Sequence, residues 1–321
     1  MRQPLAYMRR MARRRVPALG HVLAMLALAA AWLPNHAAAS CVVTQRAETR
    51  FVMGGGVPIV PVTVNGMPAR FVLDTGAERS VVTREAVQRL GLALDEWVAT
   101  TMQGVGGAER HRNALPRSLS LGGVALQRRT ITRDTSLTVA RLPPVTATPI
   151  DGLLGRDFLA SFDLEIDFPA HTLRLHDVHG CSGAFLPAAD RFQPIPVEMP
   201  ANTALVVPVR LGGVMLRALL DTGANASLIA APGMARIGLS PTAPADPEAA
   251  ATVAGIGPAT LRVGMRHFAT MQVGPVTTTG VNLLVAPVHA VPIVDMLLGS
   301  DWMQGRRLWL SFATRQVFVA P

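Results

Sequence analysis

The chain has 321 residues, of which half are apolar but only 5% aromatic, and its net charge is +9. Six arginines and no acidic residue lie within residues 1–39, so residues 40–321 carry a net charge of only +3. This weak positive charge, with no stripe of arginine and aromatic residues, excludes nucleic acid as an expected partner. The length suffices for one large or two modest domains, and the many glycines and prolines favour short strands and turns.

Residues 1–39 have the pattern of an export signal. An arginine-rich start precedes an apolar stretch, and Ala37 and Ala39 supply the small residues that a signal peptidase requires before Ser40. Two alternatives are open: the segment stays uncleaved as a membrane anchor, or Cys41 is lipidated, although AASC lacks the leucine usual in a lipidation signal. All three alternatives place the rest of the chain outside the cytoplasm, periplasmic or secreted, and only the last two attach it to a membrane.

The chain contains two cysteines, Cys41 and Cys181. An oxidising compartment allows them to form a disulfide that brackets the first part of the chain. The alternative is that both are unpaired, small apolar residues. We keep the disulfide as a possible one.

The phrase Asp-Thr-Gly-Ala occurs twice, each time directly after an apolar run that predicts a strand. FVLDTGAERS contains Asp74, and ALLDTGANAS contains Asp221, 147 positions further on. Each copy is followed downstream by an LLG triplet, at 153–155 and 297–299. A turn closed by Asp-Thr-Gly would explain the phrase structurally, but a turn needs neither the apolar run nor the LLG. The matching order indicates an internal duplication and two lobes.

A glycine-rich stretch lies between the two phrases of each half and predicts a hairpin turn. These glycines permit a hinge and close approach of backbone, although ordinary hairpin turns are the alternative. The matched positions of the two stretches support the duplication. The residues concerned are Gly104, Val105 and Gly106 in the first half, and Gly255, Ile256 and Gly257 in the second.

We predict an all-β fold with two pseudo-symmetric lobes, residues 40–185 and residues 186–321. Asp157 and Asp301, two positions after the glycine of each LLG, are predicted to cap a short helix. The segment 171–181 gathers three histidines, an aspartate and a cysteine, but their spacing fits no familiar zinc site. We therefore expect no metal and no cofactor.

The paired phrases resemble the retropepsin and pepsin aspartic proteases, and most closely the bacterial retropepsin-like proteins. The resemblance covers most of the chain beyond about residue 50 and implies two fused retropepsin-like β-barrel lobes. It implies that Asp74 and Asp221 are the catalytic pair and meet where the lobes join. The chain's only tyrosine is Tyr7, so it lacks the flap tyrosine characteristic of pepsin-like enzymes. The resemblance to a fused retropepsin dimer implies instead that the two glycine-rich stretches are a pair of substrate-binding flaps.

The resemblance also implies roles for the neighbouring residues. Thr75 and Thr222 are expected to hydrogen-bond across the interface, and both LLG triplets to pack behind the loops. Two adjacent carboxyl groups share one proton, so that one activates water and the other binds the scissile carbonyl. The supporting residues of the two loops are Thr75, Gly76, Ala77, Thr222, Gly223 and Ala224.

These residues predict an exported, monomeric aspartic endopeptidase that acts on a peptide or protein lying extended between the lobes. The alternative is a catalytically silent peptide-binding module that has kept the fold. Both Asp-Thr-Gly-Ala phrases are intact, which favours the enzyme. Neither the cleavage preference nor the distinction between general proteolysis and the processing of one protein follows from the sequence.

Overall fold

The computed structural model describes most of the chain beyond the proposed signal segment, which lies outside the described residues together with several shorter stretches. The described ranges are 40–127, 135–147, 149–187, 190–198, 204–240, 251–257, 259–288 and 294–320. They belong to one compact unit, Ser40–Pro321, built almost entirely of strands with a few short helices. The predicted all-β, two-lobed fold is confirmed. Within these ranges, no helix has the length and apolar character to cross a membrane.

The first half of the chain forms a ten-stranded sheet around the first Asp-Thr-Gly-Ala phrase. The strand before the phrase lies between an antiparallel neighbour and a parallel one, so its last residues, Phe71, Val72 and Leu73, are buried. In spatial order the strands are β6 (Ala93–Gly104), β7 (Gly107–Leu115), β10 (Leu137–Val139), β5 (Val81–Val82), β11 (Gly152–Leu154), β4 (Met67–Leu73), β3 (Val57–Val64), β8 (Leu119–Leu121) and β9 (Val124–Ala125), with β2 (Val52–Gly54) paired to β3.

The second half repeats this arrangement in a seven-stranded sheet. The strand before the second phrase again pairs in parallel with the LLG strand, with Leu220 opposite Leu298 as Leu73 is opposite Leu154. The two phrases therefore follow the ends of equivalent strands in the two sheets. In spatial order the strands are β15 (Val206–Leu211), β16 (Val214–Leu220), β21 (Met296–Leu298), β17 (Leu228–Ile229), β20 (Val276–Val285), β19 (Thr260–Val273) and β18 (Ala251–Ala254).

A six-stranded sheet joins the two halves. Its centre is the antiparallel pair in which Leu164 lies opposite Leu310 and Glu165 opposite Trp309. Burial alone would raise the pKa of Glu165. Hydrogen bonds from His176 and Arg307 outweigh this effect and lower that pKa to about 2. In spatial order the strands are β1 (Val42–Arg50), β13 (Thr172–His179), β12 (Asp163–Asp167), β22 (Arg307–Ser311), β23 (Gln316–Ala320) and β14 (Gln193–Ile195).

Four short helices occur in the described residues, two in each half. The first is capped by Thr83, whose hydroxyl oxygen accepts a hydrogen bond from the Ala86 amide. The helices are α1 (Arg84–Arg89), α2 (Arg156–Leu159), α3 (Ala231–Arg236) and α4 (Ser300–Met303). Because Ser40–Pro321 forms one compact unit, the boundary between residues 185 and 186 stays a prediction.

Candidate active site

The two Asp-Thr-Gly-Ala phrases leave the ends of β4 and β16 as matched loops. The amide of Asp74 donates to the Leu154 carbonyl, and the amide of Asp221 donates to the Leu298 carbonyl, each at 3.0 Å. The leucines belong to the LLG strands, so each triplet lies directly beside its loop. Both aspartates are therefore fixed at the same point of their sheets.

Two threonines tie the loops together across the halves. The Thr75 hydroxyl donates to the Leu220 carbonyl at 2.8 Å, and the Thr222 hydroxyl donates to the Leu73 carbonyl at 2.6 Å. Each hydroxyl oxygen also accepts from the amide of the other threonine, at 3.1 and 3.0 Å. Both side chains are buried. The two threonines thus hydrogen-bond across the halves, as the resemblance implies, and they do so through four reciprocal bonds.

The glycines of the two loops let each aspartate reach the opposite loop. A Cβ atom added at Gly76 would lie 2.3 Å from the carboxyl carbon of Asp221, and one at Gly223 would lie 2.4 Å from that of Asp74. A side chain at either position would therefore have to displace the carboxyl group of the opposite loop. The structure thus brings the two predicted catalytic carboxyl groups together, one from each half.

Backbone amides hold each carboxylate in place. Asp74 accepts from the Ala77 amide at 2.8 Å, and Asp221 accepts from the amides of Gly223 and Ala224 at 2.9 and 3.1 Å. Burial raises the pKa of Asp74, although the backbone amides lower it. The pKa of Asp221 is raised by burial and by the negative charge of Asp74. Two carboxyl groups so placed share a proton over a range of pH.

A serine six positions after each aspartate anchors the far end of its loop. The Ser80 hydroxyl donates to Asp157 at 2.6 Å, and the Ser227 hydroxyl donates to Asp301 at 2.7 Å. The prediction that the two aspartates are helix caps is wrong for the N-cap position, because the N-cap residues of α2 and α4 are glycines without a side-chain bond. Each carboxylate accepts from the serine of its loop, and that of Asp301 also accepts from the Trp302 amide in the first turn of α4, at 2.9 Å. Ser80 and Ser227, identical in the duplicated phrases, are supports that the sequence reasoning missed.

Arg156 is a further loop residue that the sequence reasoning missed. It opens α2, and only 3% of it is exposed. Its guanidinium Nη1 donates to the carbonyls of Thr75 and Gly76, at 2.8 and 2.6 Å. The matched position in the second half is Ser300, whose hydroxyl donates to the Thr222 carbonyl at 2.8 Å. The sequence signal was available, since Arg and Ser follow the two LLG triplets directly.

The two predicted flaps meet at their tips. The β6–β7 hairpin turns at Val105 and Gly106, and the amide of Gly106 donates to the Ile256 carbonyl of the β18–β19 hairpin at 3.0 Å. Gly257 has a positive φ of 117°, and a Cβ atom there would lie 2.3 Å from the Gly106 carbonyl carbon. Glycine is therefore required where the tips touch. Gly104 is likewise packed against Ile256.

The remaining predicted site residues lie away from the paired loops. Cys41 and Cys181 form a disulfide with an S–S distance of 2.08 Å. In the histidine-rich segment, His176 lies against Glu165 and Asp177 pairs with Arg46. In the part of the chain that the structure describes, no group of three or more His, Cys, Asp or Glu side chains is arranged to hold a metal ion.

Comparison with known proteins agrees with this geometry. A family model described as aspartyl protease matches the chain twice, at residues 60–158 and 207–302. Among solved structures, the chain is similar to an aspartic proteinase from Irpex lacteus, with a TM-score of 0.50 and 13% identity over 87% of this chain and 97% of that one. None of the curated proteins matches. At this identity the structural likeness bears on the fold alone.

Proposed function

Because this chain belongs to the aspartyl protease family, we propose that it is an exported endopeptidase that hydrolyses peptide bonds with a water molecule activated between Asp74 and Asp221. The observation that carries the proposal is the crossed packing of the two loops. Each loop glycine lies against the carboxyl group of the other half, and reciprocal threonine bonds keep it there. One half of the chain alone supplies only one carboxyl group.

The paired carboxyl groups supply both functions that hydrolysis of an amide requires. The ionised carboxylate takes a proton from water as the water oxygen attacks the scissile carbonyl carbon. The protonated partner hydrogen-bonds the carbonyl oxygen and stabilises the charge that develops there. This chemistry uses no metal, cofactor or nucleophilic side chain.

The substrate would be an extended peptide lying between the loops and the flaps. Hairpin backbone over the site favours recognition by strand addition, in which main-chain hydrogen bonds supply affinity and side-chain pockets supply selectivity. The tip contact between Gly106 and Ile256 then has to open to admit the peptide. The tip also carries Ile256 onto an apolar cluster that includes Ala77 and Val145. This packing suits apolar side chains in the substrate.

Export and a monomeric state are part of the same proposal. The amino-terminal pattern favours export, and a disulfide between Cys41 and Cys181 suits an oxidising compartment. Because one chain supplies both loops, a second copy is not needed to complete the site. The proposed enzyme therefore acts as a monomer.

The test is peptide cleavage by purified residues 40–321 and by two conservative variants. We expect the wild-type protein to cleave members of a peptide library and to be inhibited by pepstatin, and Asp74→Asn and Asp221→Asn each to lower kcat at least about 1,000-fold, since each removes one half of the acid–base pair. Circular dichroism checks that the variants fold. Asp177→Asn, whose carboxylate pairs with Arg46 on the six-stranded sheet, is the control and should cleave normally.

The silent binding module makes the opposite prediction. It would bind peptides with measurable affinity, but cleavage would be absent in the wild-type protein and the two aspartate variants would change nothing. Substantial turnover in either Asp→Asn variant would contradict the paired mechanism itself.

A further inference from the structure

The two halves differ in charge directly behind the paired loops. At the first position of α2 stands Arg156, and at the matched first position of α4 stands Ser300. Both side chains donate to carbonyl groups of their own loop, Arg156 to those of Thr75 and Gly76, and Ser300 to that of Thr222. The same mechanical support is thus given by a cation in one half and by a neutral hydroxyl in the other.

The charge of Arg156 lacks a conventional counter-ion. The residue is buried and forms no salt bridge among the residues that the structure describes. Four acidic groups favour its charged form and raise its pKa, Asp74 most strongly, followed by Glu78, Asp221 and Asp157. A buried charge is costly unless an opposite charge compensates it.

The neighbouring acids do not compensate equally. Glu78 is exposed, so water screens its charge, and the Asp157 carboxylate already accepts from the Ser80 amide and hydroxyl. The carboxyl pair holds one negative charge when it holds one proton, which matches the one positive charge of the guanidinium. The guanidinium binds the loop that carries Asp74, through the Thr75 and Gly76 carbonyls, and its charge opposes the burial that raises the pKa of Asp74.

We infer that Arg156 holds the negative charge on Asp74 and leaves the shared proton on Asp221, so that Asp74 is the base of the pair and Asp221 is the acid. This inference rests on the proposed function for its catalytic meaning. Arg156 acts through the carboxyl groups and is a positioning residue. The second half has no cation at the equivalent position, because Ser300 is neutral.

The inference assigns every proton in the reaction. Asp74 takes a proton from water while the water oxygen bonds to the carbonyl carbon, and Asp221 gives its proton to the carbonyl oxygen. The resulting gem-diol collapses when Asp74 gives its proton to the amide nitrogen and the C–N bond breaks. Asp221 then recovers a proton from a gem-diol hydroxyl. The pair returns to its starting state with Asp74 ionised.

The inference is tested by titrating each carboxyl group alone, without turnover. In Asp221→Asn the remaining pair member is Asp74, and in Asp74→Asn it is Asp221. With ¹³C-labelled aspartate, NMR follows the lone carboxyl signal, identified by its absence from the double variant. We expect Asp74 to titrate at least about one pH unit below Asp221, since a nearby cation favours the charged form. Equal midpoints, or the reverse order, would overturn the inference.

Two further variants show whether Arg156 is the cause. Arg156→Gln in both single-aspartate backgrounds should bring the two midpoints together, chiefly by raising that of Asp74. Arg156→Lys keeps the charge and should preserve the order, and it serves if the glutamine variant does not fold. Ser300→Ala removes the matched bond without changing charge and should leave the difference intact. Preservation of the difference in Arg156→Gln, or its loss in Ser300→Ala, would also overturn the inference.

The pH dependence of kcat/KM supplies the catalytic readout. The acidic limb reports ionisation of the pair in the free enzyme, so Arg156→Gln should move this limb upward by at least about one pH unit, while Arg156→Lys and Ser300→Ala leave it in place. A purely structural role would lower the rate without moving the limb. Because the NMR titration needs no turnover, a protein that cleaves no peptide would refute the proposed function and leave the titration order to decide this inference.

Discussion

Replacement of Thr75 by valine tests whether the crossed threonine bonds hold the two halves together. The change keeps the shape of the side chain but removes the hydroxyl that donates to Leu220 and accepts from the Thr222 amide. Both partners are then buried without a bond, and each costs about 1–3 kcal/mol. We therefore expect the free energy of unfolding to fall by about 2–6 kcal/mol, and kcat to fall because the carboxyl groups are held less firmly.

The measurement is urea unfolding followed by fluorescence, with the disulfide intact. The matched control is Thr138→Val, because Thr138 is a buried threonine whose hydroxyl lacks a hydrogen-bond partner among the described residues. That variant should be neutral or slightly stabilising, since it removes an unpaired buried polar group. If Thr75→Val cost no more than Thr138→Val, the reciprocal bonds would not contribute to holding the halves. Coupling in the Thr75→Val/Thr222→Val double variant would measure their cooperativity.

Two other variants address pH dependence and the disulfide. Ala77→Ser/Ala224→Ser adds a hydroxyl beside each carboxyl group, which favours the charged form. Because activity is lost as the pH falls through the lower pKa of the pair, the acidic limb of kcat/KM should move downward, by about 1–2 pH units if the bonds form fully. The wild-type protein should be most active at about pH 5–7, and an optimum below about pH 4 or an unmoved limb would refute this account of the pair. Replacement of Cys41 and Cys181 by serine releases a loop with a sequence separation of 140 residues. It should lower the free energy of unfolding by about 2–5 kcal/mol, with little change in kcat. Two free thiols in protein exported under oxidising conditions would contradict the bond.

The paired loops could be predicted because their signals are local and repeated. The apolar run before each aspartate indicates a buried strand, and the glycine after each threonine allows the close approach seen at Gly76 and Gly223. Duplication converts one weak motif into two matched ones, and two matched motifs imply an interface. The flap tips could be predicted for the same reason, since Gly106 and Gly257 occupy matched positions in the two halves.

The six-stranded sheet could not be predicted in the same way. Its strands lie outside the duplicated phrases, and β1 pairs with β13, a strand that is far away in the sequence. Nothing in the local pattern of Val42–Arg50 specifies that partner, because register depends on burial that only the whole fold determines. The wrong assignment of Asp157 has the same origin. An aspartate near the start of a helix often caps it, but here the carboxylate accepts a hydrogen bond from the serine of a neighbouring loop.

Fusion of the two halves into one chain explains how Arg156 can act on only one side. In a dimer of identical chains, a residue behind one loop recurs behind the other, so symmetry forbids a built-in difference between the carboxyl groups. A duplicated chain removes that constraint, and Arg156 and Ser300 now occupy the matched positions. The acid and the base can then be assigned before the substrate arrives. The two flap tips differ as well, since the first carries Val105 where the second carries Ile256.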